Sequence, residues 1–263
     1  MDLHLTGKTA LVTGSTGGIG LEIARKLAVE GAKTIVSGRS KDKVEAAVAG
    51  IKASGGKDVT GIVADITTAD GAAKTIAAAK EVDILVNNLG IYESKPFTEI
   101  SDADWLKFFD VNVLSGVRLA RAYFPQMLKK DWGRIIFISS ESGLSIPKDM
   151  IHYGMTKTAQ LTIARGLAEL TKGTKVTVNS VLPGPTRSEG VEAFLRSQSS
   201  TPDAPLAALE KQFFETARTS SLLQRMIEPD EIASLVAYVA SPLSAATNGA
   251  ALRVEGGLVS TIA

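Results

Sequence analysis

Residues 9–20 read TALVTGSTGGIG, and this stretch decides the fold. The apolar run at residues 9–13 predicts a buried β-strand, and the pattern that begins at Ile19 predicts a helix. Between them, glycines permit a tight turn and let backbone N–H groups approach a bound phosphate, which the N-terminus of a helix also favours electrostatically. The stretch therefore predicts the strand–turn–helix unit that holds a pyrophosphate in open α/β sheets.

Short apolar runs of the same kind recur along the chain. Most are continuous rather than alternating, as in strands that are buried on both faces of a parallel sheet. The predicted strands cover residues 9–13, 34–37, 59–64, 84–87, 134–139, 175–181 and 250–254.

Helical patterns separate these runs. The predicted helices cover residues 19–30, 41–54, 71–80, 102–130, 150–171 and 229–240. The βαβ rhythm predicts an α/β fold, a Rossmann-type doubly wound parallel sheet of about seven strands with helices on both faces. No low-complexity linker divides the chain, so residues 1–263 are expected to form a single domain.

Residues 188–223 interrupt the rhythm with two helical patches, near residues 191–196 and 206–217. An excursion of this length inside a compact domain usually has a function. We interpret it as a lid over the substrate. The alternative is a helical hairpin on the surface that only packs.

The composition excludes several kinds of site and partner. The chain has no cysteine and only two histidines, His4 and His152, so thiol chemistry is excluded and no metal site is expected. Its 29 basic and 28 acidic residues are spread along the chain, which gives no support for nucleic-acid binding. Neither a signal-peptide pattern nor an apolar run of membrane-spanning length is present, so we expect a cytoplasmic protein without a membrane partner.

The glycine turn has the spacing Thr13-Gly14-x-x-x-Gly18-x-Gly20, which resembles the cofactor turn of the short-chain dehydrogenase/reductase family. The resemblance continues in residues 87–90, NNLG, where the family usually has NNAG, and in residues 179–186, NSVLPGPT, and 255–257, EGG. It implies a nicotinamide dinucleotide as cofactor. The cofactor contacts that it implies are Gly14, Ser15, Thr16, Gly18, Ile19, Gly20, Arg39, Ser40, Asp65, Ile66, Asn88, Gly90, Tyr153, Lys157, Pro183, Gly184 and Thr186.

Two of these positions carry more specific expectations. Asp65 matches the acidic residue that contacts the adenine ring in relatives, and its residue type also fits a helix cap before Thr67 and Thr68. At the end of the second strand, Gly38 replaces the carboxylate that would accept both ribose hydroxyls of NAD, and Arg39 follows it. A guanidinium binds phosphate bidentately, and Ser37 and Ser40 could add hydrogen bonds, so NADP(H) is favoured while NAD(H) stays possible.

Tyr153 and Lys157 lie four residues apart in a helical pattern and therefore share one helix face. A nearby cation favours the phenolate and lowers the pKa of a tyrosine toward useful proton transfer. By itself, such a pair is more often a surface pair.

The resemblance supplies the rest of a catalytic set. Ser140 stands 13 residues before Tyr153, the family's distance for its catalytic serine, and is therefore preferred to Ser139 and Ser142. Asn112 matches the family's asparagine in the long helix. The resemblance implies that Ser140 binds the substrate oxygen, that Tyr153 exchanges its proton, and that Lys157 and Asn112 assist.

These residues predict an oxidoreductase, a carbonyl reductase or alcohol dehydrogenase acting on a ketone or secondary alcohol and close to the 3-oxoacyl-thioester reductases. The alternatives are a non-catalytic NADP-binding regulatory protein of the same fold and an epimerase or dehydratase, which the short chain disfavours. Relatives are usually homotetramers, so a homotetramer or a homodimer is expected.

The sequence does not name the substrate. Leu144, Ile146, Met150 and Ile151, together with the lid, predict a mainly apolar pocket for a lipophilic or acyl group. Glu141 either points to solvent or meets a polar group of the substrate.

Overall fold

The computed structural model describes residues 2–188, 190–199 and 201–262 of the chain. Within these ranges, seven strands form one parallel sheet in the order β3-β2-β1-β4-β5-β6-β7. The strands are β1 (Thr9–Val12), β2 (Lys33–Gly38), β3 (Val59–Val63), β4 (Ile84–Asn87), β5 (Gly133–Ile138), β6 (Val176–Pro183) and β7 (Ala251–Val254). The predicted doubly wound sheet is confirmed, and its order reverses between β1 and β4, the place where such sheets bind ligands.

Helices connect the strands and cover both faces of the sheet. They are α1 (Gly18–Val29), α2 (Lys41–Ala53), α3 (Ala69–Ala78), α4 (Asp102–Phe109), α5 (Ser115–Lys130), α6 (Ile151–Glu169), α7 (Val191–Gln198), α8 (Leu206–Thr216) and α9 (Pro229–Ala240). No helix in the described part of the chain is long and apolar enough to cross a membrane.

The strands divide their side chains between two cores. Val12 and Val86 point to the layer of α1 and α9, whereas Leu11 and Leu85 point to the layer of α5 and α6, and all four are fully buried. Successive side chains of a strand face opposite sides of a sheet, so each strand contributes to both cores. Burial on both faces explains why the runs are continuously apolar.

The predicted helix over residues 102–130 is wrong in its middle. A π-helical turn, Asp110–Leu114, separates α4 from α5, and it contains Asn112. The apolar pattern runs through the turn without a break, because a π turn inserts a residue without ending the helix. Turns of this kind occur frequently at functional sites.

Residues 188–223 contain α7 and α8, as the two helical patches predict. The segment has a small core of its own, in which Phe213 and Phe214 are buried against Leu195 and Met226. It lies next to the carboxyl ends of the strands, where Val191, Phe194 and Phe213 line a cavity.

Candidate active site

A cavity of about 410 Å³ opens at the carboxyl ends of the central strands. Its walls come from the β1–α1 turn, the loops after β4, β5 and β6, the start of α6, and the segment with α7 and α8. Among the predicted site residues, it is lined by Gly14, Gly18, Ile19, Gly20, Asn88, Gly90, Ser140, Tyr153, Lys157, Pro183, Gly184 and Thr186.

The β1–α1 turn requires glycine at two positions. Gly14 has φ +59°, in the left-handed region that favours glycine. At position 20, a Cβ atom would collide with the Asn88 amide nitrogen and lie 2.6 Å from the Gly14 carbonyl oxygen. The turn therefore packs so closely that the start of α1 borders the cavity through its backbone.

The backbone N–H groups of Gly18, Ile19 and Gly20 find no acceptor among the residues that the structure describes, and Leu21 is the first to reach one, the Gly17 carbonyl. No side chain caps this helix end. Unbonded N–H groups at a helix N-terminus bind anions, and the three residues line the cavity. The turn thus fits a pyrophosphate.

Asn88 ties the turn to the end of β4. Its side-chain amide donates to the carbonyl oxygens of Thr13 at 2.9 Å and Gly14 at 3.1 Å, and its backbone N–H donates to the Thr13 hydroxyl. Leu89, where the chain departs from the family pattern, packs over the turn: its side chain comes within 3.1 Å of a Cβ placed at Gly14. Leu89 thereby covers the turn without displacing it.

The hydroxyls of Ser15 and Ser37 make structural hydrogen bonds. Ser15 is fully buried; its hydroxyl donates to the Val12 carbonyl at 2.7 Å and accepts from the Ser37 N–H at 3.0 Å. Ser37 is also buried, and its hydroxyl bonds the same Val12 carbonyl. Both serines join β1 to β2 beneath the turn, so neither hydroxyl faces the cavity.

The end of β2 lies outside the cavity lining, where the adenosine half of a dinucleotide would extend. Arg39 is exposed, and its guanidinium has no partner within the described ranges. Ser40 caps α2 by accepting from Lys43 N–H. A Cβ at Gly38 would lie 2.6 Å from the Thr16 methyl, so a carboxylate cannot enter here unless Thr16 moves.

Asp65 does not cap α3. Its carboxylate accepts from the backbone N–H of Thr67 at 3.1 Å and from the Thr67 hydroxyl at 2.7 Å, while Thr68 is the cap residue. The predicted cap is therefore wrong by three residues. Ile66 is buried beside Asp65 in the core, outside the cavity lining.

Tyr153 and Lys157 both enter the cavity from the first turns of α6. The Lys157 ammonium donates to the Ile138 carbonyl at 2.9 Å and lies 5.5 Å from the centre of the Tyr153 ring. Burial disfavours the charged form and lowers the pKa of Lys157 to about 8, while the carboxylate of Glu141 opposes that shift.

Ser140 lies at the end of β5 and donates its hydroxyl hydrogen to the carboxylate of Glu141. The second carboxylate oxygen accepts from the Ser142 hydroxyl at 3.1 Å. Burial raises the pKa of the Tyr153 phenol, and the negative charge of Glu141 raises it further, whereas a hydrogen bond with Ser140 lowers it. With its pKa raised, the Tyr153 phenol keeps its proton and can act as an acid.

Asn112 lies just behind the cavity. Its side chain accepts from the Ile91 N–H at 2.8 Å and donates to the Ile91 carbonyl at 3.0 Å and to the Thr156 hydroxyl at 2.9 Å. A Cβ at Gly90 would lie 3.5 Å from the Asn112 amide oxygen and 3.4 Å from the Lys157 ammonium. Both groups therefore lie on the side of Gly90 to which a Cβ would point, at ordinary contact distance.

The loop after β6 closes the cavity on the other side. A Cβ at Gly184 would lie 2.7 Å from the Glu255 carbonyl oxygen, so glycine permits the close passage of this loop. Thr186 donates its hydroxyl hydrogen to the Gly184 carbonyl at 2.8 Å and borders the cavity beside Pro183.

Comparisons with known proteins agree with this arrangement. A family model described as short chain dehydrogenase matches residues 8–199. The chain belongs to the short-chain dehydrogenase family. The oxidoreductase YvaG of Bacillus subtilis (strain 168) is 48% identical over 263 residues, which is all of both chains. The 3-oxoacyl-[acyl-carrier-protein] reductase FabG of Aquifex aeolicus (strain VF5) is 30% identical, covering 98% of this chain and all of the relative.

Solved structures agree as well. L-sorbose reductase from Gluconobacter frateurii, complexed with NADPH and L-sorbose, superposes with a TM-score of 0.92 at 27% identity over all of both chains. This short-chain dehydrogenase is thus an oxidoreductase whose structural neighbours bind a nicotinamide cofactor.

The prediction of an apolar pocket in this short-chain dehydrogenase holds for the segment with α7 and α8, which contributes Val191, Phe194 and Phe213 to the cavity, but not for three of the four loop residues. Of these four, only Met150 lines the cavity, while Leu144 and Ile146 are 44% and 53% exposed and Ile151 stays outside the lining. In the loop after β5, Leu144 and Ile146 point outward, whereas Ser140, Glu141 and Ser142 are buried and line the cavity.

Sequence reasoning missed Arg218, which reaches the cavity from the end of α8. Tyr92 and Phe194 were also missed. The Tyr92 ring meets the rings of Tyr153 and Phe194 edge to face, with centroid distances of 6.4 Å and 6.3 Å. Only the folded chain brings these side chains to Tyr153, so no local pattern could have indicated them. Glu141 was visible as an unusual charge, and it faces inward.

Proposed function

We propose that this short-chain dehydrogenase is a carbonyl reductase or alcohol dehydrogenase that interconverts a ketone and a secondary alcohol with NADP(H). The observation that carries the proposal is the convergence of Ser140, Tyr153 and Lys157 on one cavity that also contains the N-terminus of α1. The NADPH-bound L-sorbose reductase, which has the same fold, supports it.

The residues fit a dinucleotide. The free N–H groups at the start of α1 would hold the pyrophosphate, Gly90 and Lys157 would border the nicotinamide ribose, and Thr186 would meet the carboxamide. When bound, the cofactor supplies a hydride and accepts it back in the reverse direction.

The chain itself would supply the proton and orient the substrate. In the reducing direction, Tyr153 protonates the developing alkoxide as hydride reaches the carbonyl carbon, and Ser140 donates a hydrogen bond to that oxygen. Lys157 provides the positive charge that makes proton loss from Tyr153 easier. Asn112, which is bonded to the backbone of Ile91, would position a water molecule that returns a proton from solvent to Lys157.

The decisive test is Tyr153→Phe. We expect it to abolish ketone-dependent oxidation of NADPH while calorimetry still detects NADPH binding, because the ring is kept and only the phenolic hydroxyl, which carries the transferred proton, is lost. Tyr92→Phe is the matched control, since Tyr92 also lines the cavity and should retain activity. Wild-type protein that binds NADPH but turns over no carbonyl in a broad panel would instead support the non-catalytic regulatory protein.

Preference for NADP(H) is proposed from the unpaired Arg39 guanidinium. Arg39→Ala should weaken NADPH binding about 10- to 100-fold, the loss of a charge-assisted contact, and leave NADH unchanged. Lys41→Ala is the control, because Lys41 is an equally exposed cation nearby that pairs with Glu45. Equal weakening of both cofactors in Arg39→Ala would contradict the preference.

The lid, the assembly and the cytoplasmic location are further proposals. Exposed apolar side chains support a homotetramer or a homodimer: Leu106 and Phe109 lie on α4, and Tyr238 lies on α9. Light scattering of wild-type protein and of Leu106→Glu tests the assembly. The mass per particle should be lower for the variant than for wild type if the exposed face of α4 forms the contact between subunits.

A further inference from the structure

A buried carboxylate borders the cavity next to the proposed catalytic serine. Glu141 is 5% exposed, and it accepts hydrogen bonds from Ser140 and Ser142, one on each oxygen. An ionised carboxylate offers about four acceptor positions, so about two remain unused. Because a buried charge is costly unless it is bonded, the free positions favour a ligand that brings hydrogen-bond donors.

A cation with unused donors lies beside it. The Arg218 side chain is 19% exposed and lines the cavity, stacked 5.5 Å from the centre of the Phe213 ring. One of its N–H groups donates to the Ala217 carbonyl at 2.9 Å. Its Nε lies 3.9 Å from the nearer Glu141 oxygen, beyond hydrogen-bond range. Most of its five N–H donors therefore find no acceptor in the described part of the chain.

The facing wall is apolar. Tyr92, Phe194, Phe213 and Met226 line it, and the aromatic rings contact one another edge to face. A ligand of this cavity thus meets donors and acceptors on one side and aromatic carbon on the other. The nicotinamide end of the dinucleotide would share this cavity with the substrate, which favours a small substrate.

We propose that the substrate is a small polyhydroxylated ketone, a short open-chain ketose, whose hydroxyls bind Glu141 and Arg218. A hydroxyl donates one hydrogen and accepts others, so it can satisfy the carboxylate and the guanidinium together. A keto acid would place its own negative charge beside Glu141, and an alkyl ketone would bring no group to bond the unused acceptor positions of Glu141 or the unused donors of Arg218. The inference rests on the proposed reductase activity.

The reaction balances as ketose plus NADPH plus one proton giving polyol plus NADP+. The carbonyl carbon gains hydride and is reduced, and its oxygen takes the Tyr153 proton, which solvent restores. No other oxidant or reductant takes part.

The test compares three four-carbon ketones: erythrulose, which carries hydroxyls, butanone, which carries none, and acetoacetate, which carries a carboxylate. We expect kcat/KM to be highest for erythrulose. Glu141→Gln and Arg218→Ala should each lower the preference for erythrulose over butanone about tenfold or more, since each removes charged hydrogen bonds to a hydroxyl. Arg225→Ala is the matched control, because Arg225 is an exposed arginine that pairs with Glu231 outside the cavity.

Several outcomes would overturn the proposal. Higher kcat/KM for butanone or acetoacetate than for erythrulose would refute the substrate class. If Glu141 only positions Ser140, Glu141→Gln will lower activity equally for erythrulose and butanone, and the ratio will not change.

A binding experiment separates this proposal from the proposed activity. Calorimetry of Tyr153→Phe with NADP+ should detect threitol, a polyol product, but not sec-butanol, and the added change Glu141→Gln should abolish the threitol signal. Threitol binding that needs Glu141 supports the substrate class even if no ketone is turned over. Absence of threitol binding refutes it.

Discussion

Gly20→Ala tests the close packing of the β1–α1 turn. The added Cβ would displace the Asn88 amide, which donates to the carbonyls of Thr13 and Gly14, and two lost hydrogen bonds cost about 1–3 kcal/mol. Overlap with the Gly14 carbonyl adds a similar overpacking cost, and the better helix propensity of alanine returns about 1 kcal/mol. We expect a net loss of about 1–5 kcal/mol.

For 263 residues this loss corresponds to a fall in Tm of about 2–9 °C. Calorimetry should also show weaker NADPH binding, because the displaced turn carries the free N–H groups. Gly50→Ala is the control: a Cβ at Gly50 in α2 meets nothing within 4 Å, so the same change should raise Tm by about 1–2 °C and spare binding. The reasoning fails if Gly20→Ala melts no lower than wild type and binds NADPH equally well.

Three further predictions follow from the cavity and its surroundings. Glu141→Gln removes a negative charge that raises the pKa of Tyr153. Alcohol oxidation needs the phenolate, so the rise of kcat with pH should begin at lower pH in this variant. A pH profile of kcat that is unchanged or shifted upward would contradict this. Asn112→Ala leaves the partly buried backbone N–H and carbonyl of Ile91 unpaired and should lower the free energy of unfolding by about 1–3 kcal/mol in urea titrations. Phe213→Ala truncates the small core under α8 and should raise KM for the ketone but not for NADPH, and equal effects on both would argue against a lid.

The fold followed from the sequence because each of its signals is local. A strand buried on both faces has to be apolar throughout, and a turn as tight as the one at Gly14 and Gly20 has to use glycine, so both features are visible in one chain. The π turn around Asn112 was not visible, since the apolar pattern passes through it unchanged. The turn changes the backbone geometry between α4 and α5, and this change is visible only in the folded chain.

The candidate site followed in part. Ser140, Tyr153 and Lys157 could be paired by their spacing on one strand end and one helix, and they do meet in the cavity. The polar wall could not be predicted in the same way. The direction of a loop side chain depends on what packs against it, and the cation that faces Glu141 at 3.9 Å is Arg218, which lies 77 residues further along the chain.

The hydrogen bond between Ser140 and Glu141 connects recognition to chemistry. Ser140 has a single O–H, and while it donates to Glu141 it cannot donate to a substrate oxygen. Turning it away breaks a charge-assisted bond worth about 1.5–3 kcal/mol, unless another donor takes its place at the carboxylate. A hydroxyl of the proposed substrate is such a donor, whereas an alkyl ketone offers none. For a substrate of the proposed class, the hydroxyl that binds Glu141 therefore also frees Ser140 for catalysis. The binding energy of that hydroxyl then lowers the activation barrier of the reduction as well as KM.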